Sequence, residues 1–240
     1  MENSIKVGIV IADNDEYTPL LPYVERFGGK PSSVFGLLGH EFLMPAKNGT
    51  LHIHAVLCGT GKVNAATATA FLIDRGANMI LNTGLSGGLS GVRRGDIVLA
   101  DRLLEHDFDL QCLGYKLAEK PGQEYIYTAD ERLNRHFMKL FPELLSGTMV
   151  CGDCFVSDNA LKERLKSEFS AVACDMESAA AAYPAHLGGV PFCAVRRISD
   201  DAGDDAKESY RAMNSLAESC LLDLVLKGLS ALDVLEFSKN

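Results

Sequence analysis

The chain has 240 residues, 47% of them hydrophobic, and its 23 basic and 32 acidic residues give a formal net charge of −9. This size allows a sizeable core, so we predict one large domain over residues 1–240. The negative charge opposes binding to nucleic-acid phosphates and to anionic membranes, and it leaves a small molecule as the expected partner.

The amino terminus and the cysteines both indicate a cytoplasmic protein. The first residues include too few apolar side chains for a signal peptide or a membrane span. The seven cysteines are scattered and form no even framework of disulfides. Cys151 and Cys154 have the CxxC spacing, but a structural zinc site needs a second pair or nearby histidines, so we predict no metal site.

Strand and helix patterns alternate along the first part of the chain. We predict a buried strand over residues 5–12, a helix from Asp13 through Leu21, hairpin strands around 40–44 and 50–57, and a helix from 62 to 75. His52 and His54 alternate with apolar residues, so they share one strand face, which we expect to be solvated.

The alternation continues to the end of the chain. We predict strands over residues 79–83, 95–100 and 148–151, helices over 129–140, 158–169 and 209–232, and an irregular excursion over 104–122. The stretch 84–88 holds three glycines in five residues, so we expect a binding loop there. Strands that alternate with helices predict an α/β fold of three layers, with helices on both faces of one sheet.

Carboxylates follow three of the predicted strands. Glu16 lies beyond the first strand, Glu177 follows a short strand pattern that ends near Asp175, and Asp200 follows a strand-like run that contains Arg196. Ligands of α/β proteins bind at the carboxyl ends of strands, because the loops and helix amino termini that follow face one crevice. A guanidinium inside an apolar strand needs an anionic partner. The pattern therefore predicts a small-molecule site rich in carboxylates.

Seven segments, taken in order, resemble the bacterial methylthioadenosine/S-adenosylhomocysteine nucleosidases, which lie within the nucleoside phosphorylase superfamily. They are GIVIADNDE, GTGKVNAA, NTGLSGGL, GDIVLAD, CGDCFVSD, CDMES and RRISDDAGD, and the resemblance spans about Gly8 to Gly203. The resemblance implies an α/β/α sandwich around a mixed β-sheet. It also implies hydrolysis of the N-glycosidic bond of an adenine nucleoside thioether, with release of adenine and without a cofactor.

The resemblance assigns roles to individual residues. It implies that Glu16 activates water, that Glu177 accepts hydrogen bonds from the ribose hydroxyls, that Asp200 protonates adenine N7, and that Arg196 lies near the ribose and the water. Each carboxylate also has a purely structural interpretation as an acid at a helix start or in a loop. The implied substrate contacts are Phe155 and Val156 at the base, Met176 beneath the ribose, Ser199 beside the acid, Thr60, Ser86 and Gly87 in the glycine-rich stretches, and Tyr210 as a lid.

The excursion over residues 104–122 implies a homodimer. In the resembling family this segment reaches the neighbouring active site, where Leu110, Leu113 and Pro121 would contact the 5′-alkylthio group. The alternative is a solvent-exposed loop that contains a few leucines.

Some residues depart from the family pattern and leave other functions open. Leu85 stands where the family usually has a serine, Ser86 where alanine is usual, and Asp13 where an apolar residue is common. Phosphorolysis, hydrolysis of futalosine and nonenzymatic nucleoside binding are the alternatives. The residues favour a hydrolase, because Asn82 precedes Thr-Gly where hexameric phosphorylases carry an arginine, and because Glu16 would repel phosphate.

Overall fold

A computed structural model of the chain describes residues 3–213 and 217–237. The strands are β1 (Ser4–Ile11), β2 (Lys30–Val34), β3 (Leu37–Ala46), β4 (Gly49–Leu57), β5 (Met79–Gly88), β6 (Ile97–Glu105), β7 (Ile126–Thr128), β8 (Leu145–Cys151), β9 (Ala173–Asp175) and β10 (Phe192–Asp200). The helices are α1 (Asn14–Tyr17), α2 (Leu21–Arg26), α3 (Lys62–Asp74), α4 (Glu131–Leu140), α5 (Asn159–Phe169), α6 (Ser178–Gly188), α7 (Ala206–Met213), α8 (Ala217–Ser230) and α9 (Val234–Phe237).

The strands form one mixed sheet in the order β10-β6-β8-β9-β5-β1-β4-β3-β2, with β7 paired to β6. β1 lies parallel between β4 and β5, and β5 also pairs in parallel with β10. Because β10 pairs with both β5 and β6, the part of the sheet formed by β5, β9, β8, β6 and β10 closes on itself. The carboxyl ends of β1, β5 and β10 therefore lie side by side.

Helices cover both faces of the sheet, as the sequence predicts. On one face, α8 packs against β3, β5 and β10, and its leucines share one core with apolar residues of α2 and α4. On the other face, α3 and α6 present mainly alanines, which let the two helices approach the sheet and each other closely. The prediction of a three-layer α/β/α fold around a mixed sheet is confirmed.

Two of the predicted elements differ from the structure. The stretch 84–88 is not a loop but the last part of β5, which pairs with β10 and β9. The predicted helix over 209–232 corresponds to α7 and α8, and residues 214–216 lie outside the described residues. Glycine is usually depleted in strands, so the three glycines led to a predicted loop where the strand in fact continues.

The histidines and cysteines occupy less uniform surroundings than the sequence indicated. His52 is exposed, but His54 is half-buried, with its Nε2 2.9 Å from Ser32 Oγ, so only His52 fits the prediction of a solvated face.

Cys151 and Cys154 are both free thiols. Over residues 3–213 and 217–237, no group of three or more His, Cys, Asp and Glu side chains is arranged to hold a metal ion. Within the same ranges, no helix has both the length and the apolar character needed to cross a bilayer.

Candidate active site

A cavity of about 200 Å³ lies where the carboxyl ends of β1, β5, β9 and β10 meet. It contains most of the residues that the sequence predicted as a site. These are Glu16, Thr60, Ser86, Gly87, Phe155, Val156, Met176, Glu177, Ser199, Asp200 and Tyr210. Ala12, Leu85, Cys154, Cys174 and the carboxylates Asp13 and Asp175 also line it. Arg196 lies behind this lining, and Leu110, Leu113 and Pro121 do not contribute to it.

Arg196 organises the carboxylates beneath the cavity. Its side chain is fully buried, with Nη2 3.3 Å from Glu177 Oε2 and Nε 3.3 Å from Asp175 Oδ2. Nη2 also donates to Asn82 Oδ1 at 2.6 Å, and Nη1 donates to the Leu85 carbonyl at 3.3 Å. Burial opposes the charge, but the adjacent carboxylates Asp175, Glu177 and Glu16 raise the pKa of Arg196 above its ordinary value. The arginine is therefore a fixed cation, held by two carboxylates, an amide oxygen and a backbone carbonyl.

Asp175 and Asn82 belong to this cluster, although neither was among the predicted site residues. Asp175 Oδ1 accepts the N–H groups of Glu177 and Ser178 at 3.0 and 2.9 Å, so it holds the backbone where α6 begins while its other oxygen faces Arg196. Asn82 is fully buried and also donates to the Val10 carbonyl at 3.1 Å. A polar residue inside an apolar strand needs a buried partner, and this was the signal that could have identified Asn82.

Glu16 is held at the start of α1 by two backbone donors. Its Oε1 accepts the Leu85 N–H at 2.7 Å, and its Oε2 accepts the Asp13 N–H at 3.3 Å in a capping box. Burial raises the pKa of Glu16 to about 7, although Arg196 and the Leu85 N–H partly oppose this. A carboxylate with this pKa can accept a proton near neutral pH.

Two glycines allow these groups to approach one another. A Cβ at Gly84 would lie 2.6 Å from both Glu16 Oε1 and Arg196 Nη1, so no other residue fits between them. Gly61 has a φ of +104°, a conformation that L side chains rarely adopt, and its N–H donates to Glu177 Oε1 at 2.9 Å.

Glu177 therefore has each of its oxygens held from a different side. Gly61 binds Oε1 and Arg196 binds Oε2, while the residue as a whole is 4% exposed. Burial raises the pKa of Glu177 and Arg196 opposes this change. The carboxylate is fixed in direction at the cavity wall and retains lone pairs for hydroxyl groups of a ligand.

Asp200 ends β10 at the opposite wall and is 2% exposed. Its Oδ1 accepts the Ala202 N–H at 2.8 Å, and its Oδ2 lies 2.6 Å from Ser199 Oγ, which also lies 3.2 Å from the Ser86 carbonyl. Burial raises the pKa of Asp200, against the hydrogen bonds from Ser199 and Ala202. A protonated Asp200 can donate to Ser199, which then donates to Ser86, so the site accommodates the neutral acid without a lost hydrogen bond.

Aromatic and apolar side chains form the remaining walls. Phe155 is 45% exposed and meets the ring of Tyr210 edge-on, at a centroid distance of 5.6 Å, so Phe155 is not a core residue. Val156 is buried and Met176 is half-buried. The Ser86 hydroxyl is buried without a hydrogen-bond partner in the described part of the chain, and a polar ligand atom in the cavity could provide one.

Leu85 keeps its backbone contacts although its side chain departs from the family pattern. Its N–H binds Glu16 and its carbonyl binds Arg196, and neither contact depends on the side chain. The side chain is 7% exposed and forms an apolar part of the cavity wall. The departure at position 85 therefore changes the surface of the cavity but leaves the cluster of charged groups intact.

Comparison with known proteins agrees with this fold. A family model described as the phosphorylase superfamily matches residues 6–228, which places the chain in that superfamily. A 5′-methylthioadenosine/S-adenosylhomocysteine nucleosidase from Geobacillus sp. strain WCH70 is 33% identical over 237 residues, or 95% of this chain and 99% of the relative. The chain therefore belongs to the family of 5′-methylthioadenosine/S-adenosylhomocysteine nucleosidases.

Solved structures of the same fold include two kinds of enzyme, named for different substrates. The S-adenosylhomocysteine nucleosidase of Streptococcus pyogenes, in complex with 5-methylthiotubericidin, has a TM-score of 0.87 at 29% identity over 95% of this chain and 97% of its own. Futalosine hydrolase of Helicobacter pylori has a TM-score of 0.84, also at 29% identity, over 94% of this chain and 97% of its own. The fold alone does not distinguish between these two substrates.

Proposed function

We propose that the chain hydrolyses the N-glycosidic bond of methylthioadenosine and S-adenosylhomocysteine and releases adenine. The observation that carries this proposal is the charge of the cavity wall. Among the described residues, the wall holds the carboxylates of Asp13, Glu16, Asp175, Glu177 and Asp200 and no lysine, arginine or histidine. A phosphate nucleophile would meet these anions without a free cation to bind it, whereas a water molecule would meet hydrogen-bond acceptors.

The sugar is the centre of positive charge in this reaction. Cleavage of an N-glycosidic bond passes through an oxocarbenium-like state, which a nearby carboxylate stabilises. Glu177 would hold the ribose hydroxyls with lone pairs that Gly61 and Arg196 leave free. Because both of its oxygens are fixed by the protein, this stabilisation needs little reorganisation during the reaction.

The two remaining carboxylates have opposite tasks. Adenine is a poor leaving group as an anion, so Asp200 must be protonated to donate to N7, and its burial favours that form. Glu16 must be ionised to orient and deprotonate water. Burial raises its pKa to about 7 and Arg196 limits that rise, so the ionised form is available at neutral pH and above.

Glu177→Gln should reduce both substrate affinity and turnover. The amide keeps one acceptor oxygen but loses the negative charge that the transition state needs, so the effect on kcat/KM should exceed the effect on KM. We expect a much smaller loss with a 2′-deoxy substrate, which offers one hydroxyl fewer to position 177. Steady-state kinetics on the two substrates checks this, and equal losses would remove Glu177 from the role of holding the ribose.

We also propose that the protein is a homodimer in which residues 104–122 complete the partner's cavity. In a single protomer the side chains of Leu113 and Val63 are 68% and 76% exposed, so both apolar groups are available for burial against a partner. Leu110 is half-buried and Pro121 is exposed. An apolar slot from the partner would favour a methylthio group by about 0.8 kcal/mol for each buried CH₂.

Leu113→Asp should weaken dimerisation and methylthioadenosine binding together, because a carboxylate in an apolar interface loses its hydration. Leu187→Asp is a matched control, since Leu187 is also 68% exposed and lies outside this segment. Light scattering would measure the mass of each variant, and kinetics would compare methylthioadenosine with adenosine. A fully active wild-type monomer, or a Leu113→Asp variant with an unchanged preference for the thioether, would contradict the proposal.

A substrate panel tests the function itself. We expect adenine release from methylthioadenosine and S-adenosylhomocysteine to exceed base release from 5′-deoxyadenosine, futalosine and inosine. Faster cleavage of futalosine would assign the chain to that substrate instead, and tight binding without cleavage would indicate a nucleoside-binding protein. A cytoplasmic location and a role in methionine salvage are proposals that follow from the same function.

A further inference from the structure

A second cluster of charged side chains lies beside the cavity and does not line it. Lys62 Nζ donates to Glu105 Oε2 at 2.9 Å and to Asp107 Oδ1 at 2.7 Å, and Lys120 pairs with the other oxygen of Glu105. The side chains of Lys62, Glu105 and Lys120 are only 18%, 14% and 11% exposed. Such burial strengthens the attraction between the charges but deprives them of hydration, so the loss of one partner is costly.

Three of the contacts in this cluster close a ring that joins separate loops. Besides the bond from Lys62 Nζ to Asp107, the Lys62 N–H donates to Asp153 Oδ1 at 2.8 Å. The Asp153 N–H in turn donates to Asp107 Oδ2 at 3.0 Å. Residues 62, 107 and 153 are therefore fixed relative to one another by both side-chain and backbone groups.

Helix formation does not account for a lysine at this position. Lys62 is the first residue of α3, where the helix dipole disfavours a cation. The neighbouring carboxylates reverse this: burial alone would lower the pKa of Lys62, but its hydrogen bonds to Asp107 and Glu105 raise that pKa above the ordinary value. The same contacts lower the pKa of Asp107 and Glu105 against the effect of burial.

The ring is connected to two parts of the cavity wall through adjacent residues. Gly61, which precedes Lys62, donates its N–H to Glu177. Asp153 precedes Cys154, Phe155 and Val156, which line the base side of the cavity. Glu105 and Asp107 lie at the beginning of the segment 104–122.

We infer that Lys62 is a positioning residue. Its ammonium binds Glu105 and Asp107, and Asp107 in turn accepts the Asp153 N–H, so the charge holds Asp153 at the start of the base-side loop and keeps the adjacent Gly61 N–H directed at Glu177. The inference rests on the proposed function for its kinetic test. It also links the segment 104–122 to the position of the ribose-binding carboxylate, since the ammonium binds Glu105 and Asp107 while the preceding residue, Gly61, donates its N–H to Glu177.

Lys62→Met keeps the apolar stem and removes the charge. Because a small displacement of a positioned group can cost up to about 100-fold, we expect kcat/KM for the ribonucleoside to fall by about 10-fold to 100-fold. The loss for the 2′-deoxy substrate should be smaller, because that substrate depends less on Glu177. A general loss of folding would lower the two values equally.

Three further variants define the result. Lys62→Arg keeps a cation between the two carboxylates and should recover most of the lost activity. Asp107→Asn keeps an acceptor for Lys62 but removes the acceptor for the Asp153 N–H, so it should reproduce part of the Lys62→Met effect. Lys166→Met is the control. It breaks an ion pair on α5, in which Lys166 Nζ lies 2.7 Å from Glu163 Oε1, and it should behave like the wild type.

Hydrogen–deuterium exchange gives a readout that does not require activity. In Lys62→Met we expect faster exchange in peptides that cover residues 59–63, 105–109 and 152–157, and unchanged exchange in α8. A wild type that releases no adenine would contradict the proposed function, while the exchange result would still decide the role of Lys62. Equal kinetic losses on both substrates, or unchanged exchange in those peptides, would overturn the inference. If Lys62→Met does not fold, Asp107→Asn decides it in the same assays.

Discussion

Asp200→Asn should lower kcat for methylthioadenosine by about 10²-fold to 10⁴-fold, the usual effect of removing a general acid. The asparagine can keep the hydrogen bonds to Ser199 and Ala202, so the fold should persist while the proton for N7 is lost. The wild-type rate should fall at high pH as Asp200 ionises, and this limb of the pH profile should disappear in the variant. Rates from pH 5 to pH 10, together with circular dichroism, would measure both effects.

Ser199→Ala is the matched control for this experiment. It removes the neighbouring hydroxyl but leaves the carboxyl group, so it should shift the high-pH limb and retain more activity than Asp200→Asn. An Asp200→Asn variant that hydrolyses the best substrate at a near wild-type rate would exclude Asp200 as the acid.

Glu16→Gln should also lower kcat by about two orders of magnitude or more, because glutamine can orient water but cannot accept its proton. In the wild type, activity should rise as pH increases through about 7, where Glu16 ionises in the folded protein. The variant should lack this rise. Retention of a wild-type rate and of the low-pH limb would remove Glu16 from the role of base.

The same substitution has an opposite effect on stability. The pKa of Glu16 is about 7 in the folded protein and near 4.5 in the unfolded chain. The unfolded chain therefore releases this proton at a lower pH than the folded protein does. The contribution of Glu16 to stability is therefore fully present below about 4.5 and is lost between 4.5 and 7. We expect Glu16→Gln to melt above the wild type at pH 8, with a smaller difference at pH 5, in differential scanning calorimetry.

The sequence was sufficient for the layers of the fold and for the three carboxylates at strand ends. Alternating patterns predict the helices and strands, and the strand-end rule brings Glu16, Glu177 and Asp200 to one edge of the sheet. It was not sufficient for the closure of the sheet by β10, because pairing with both β5 and β6 depends on contacts between distant parts of the chain.

The site residues that the sequence patterns did not identify were missed for one physical reason. Asp175 and Asn82 gain their significance from Arg196, whose buried charge they help to balance, and no local pattern reveals that partnership. Lys62 likewise looks like an ordinary helix residue in the sequence, and only its proximity to Glu105 and Asp107 distinguishes it. Ion pairs between remote segments are set by the tertiary fold.

The most direct test of the central claim is adenine release from methylthioadenosine in phosphate-free buffer and in buffer with added phosphate. We expect the same rate in both, with methylthioribose as the sugar product by mass spectrometry. Adenine release that requires phosphate, with a sugar 1-phosphate as product, would contradict it.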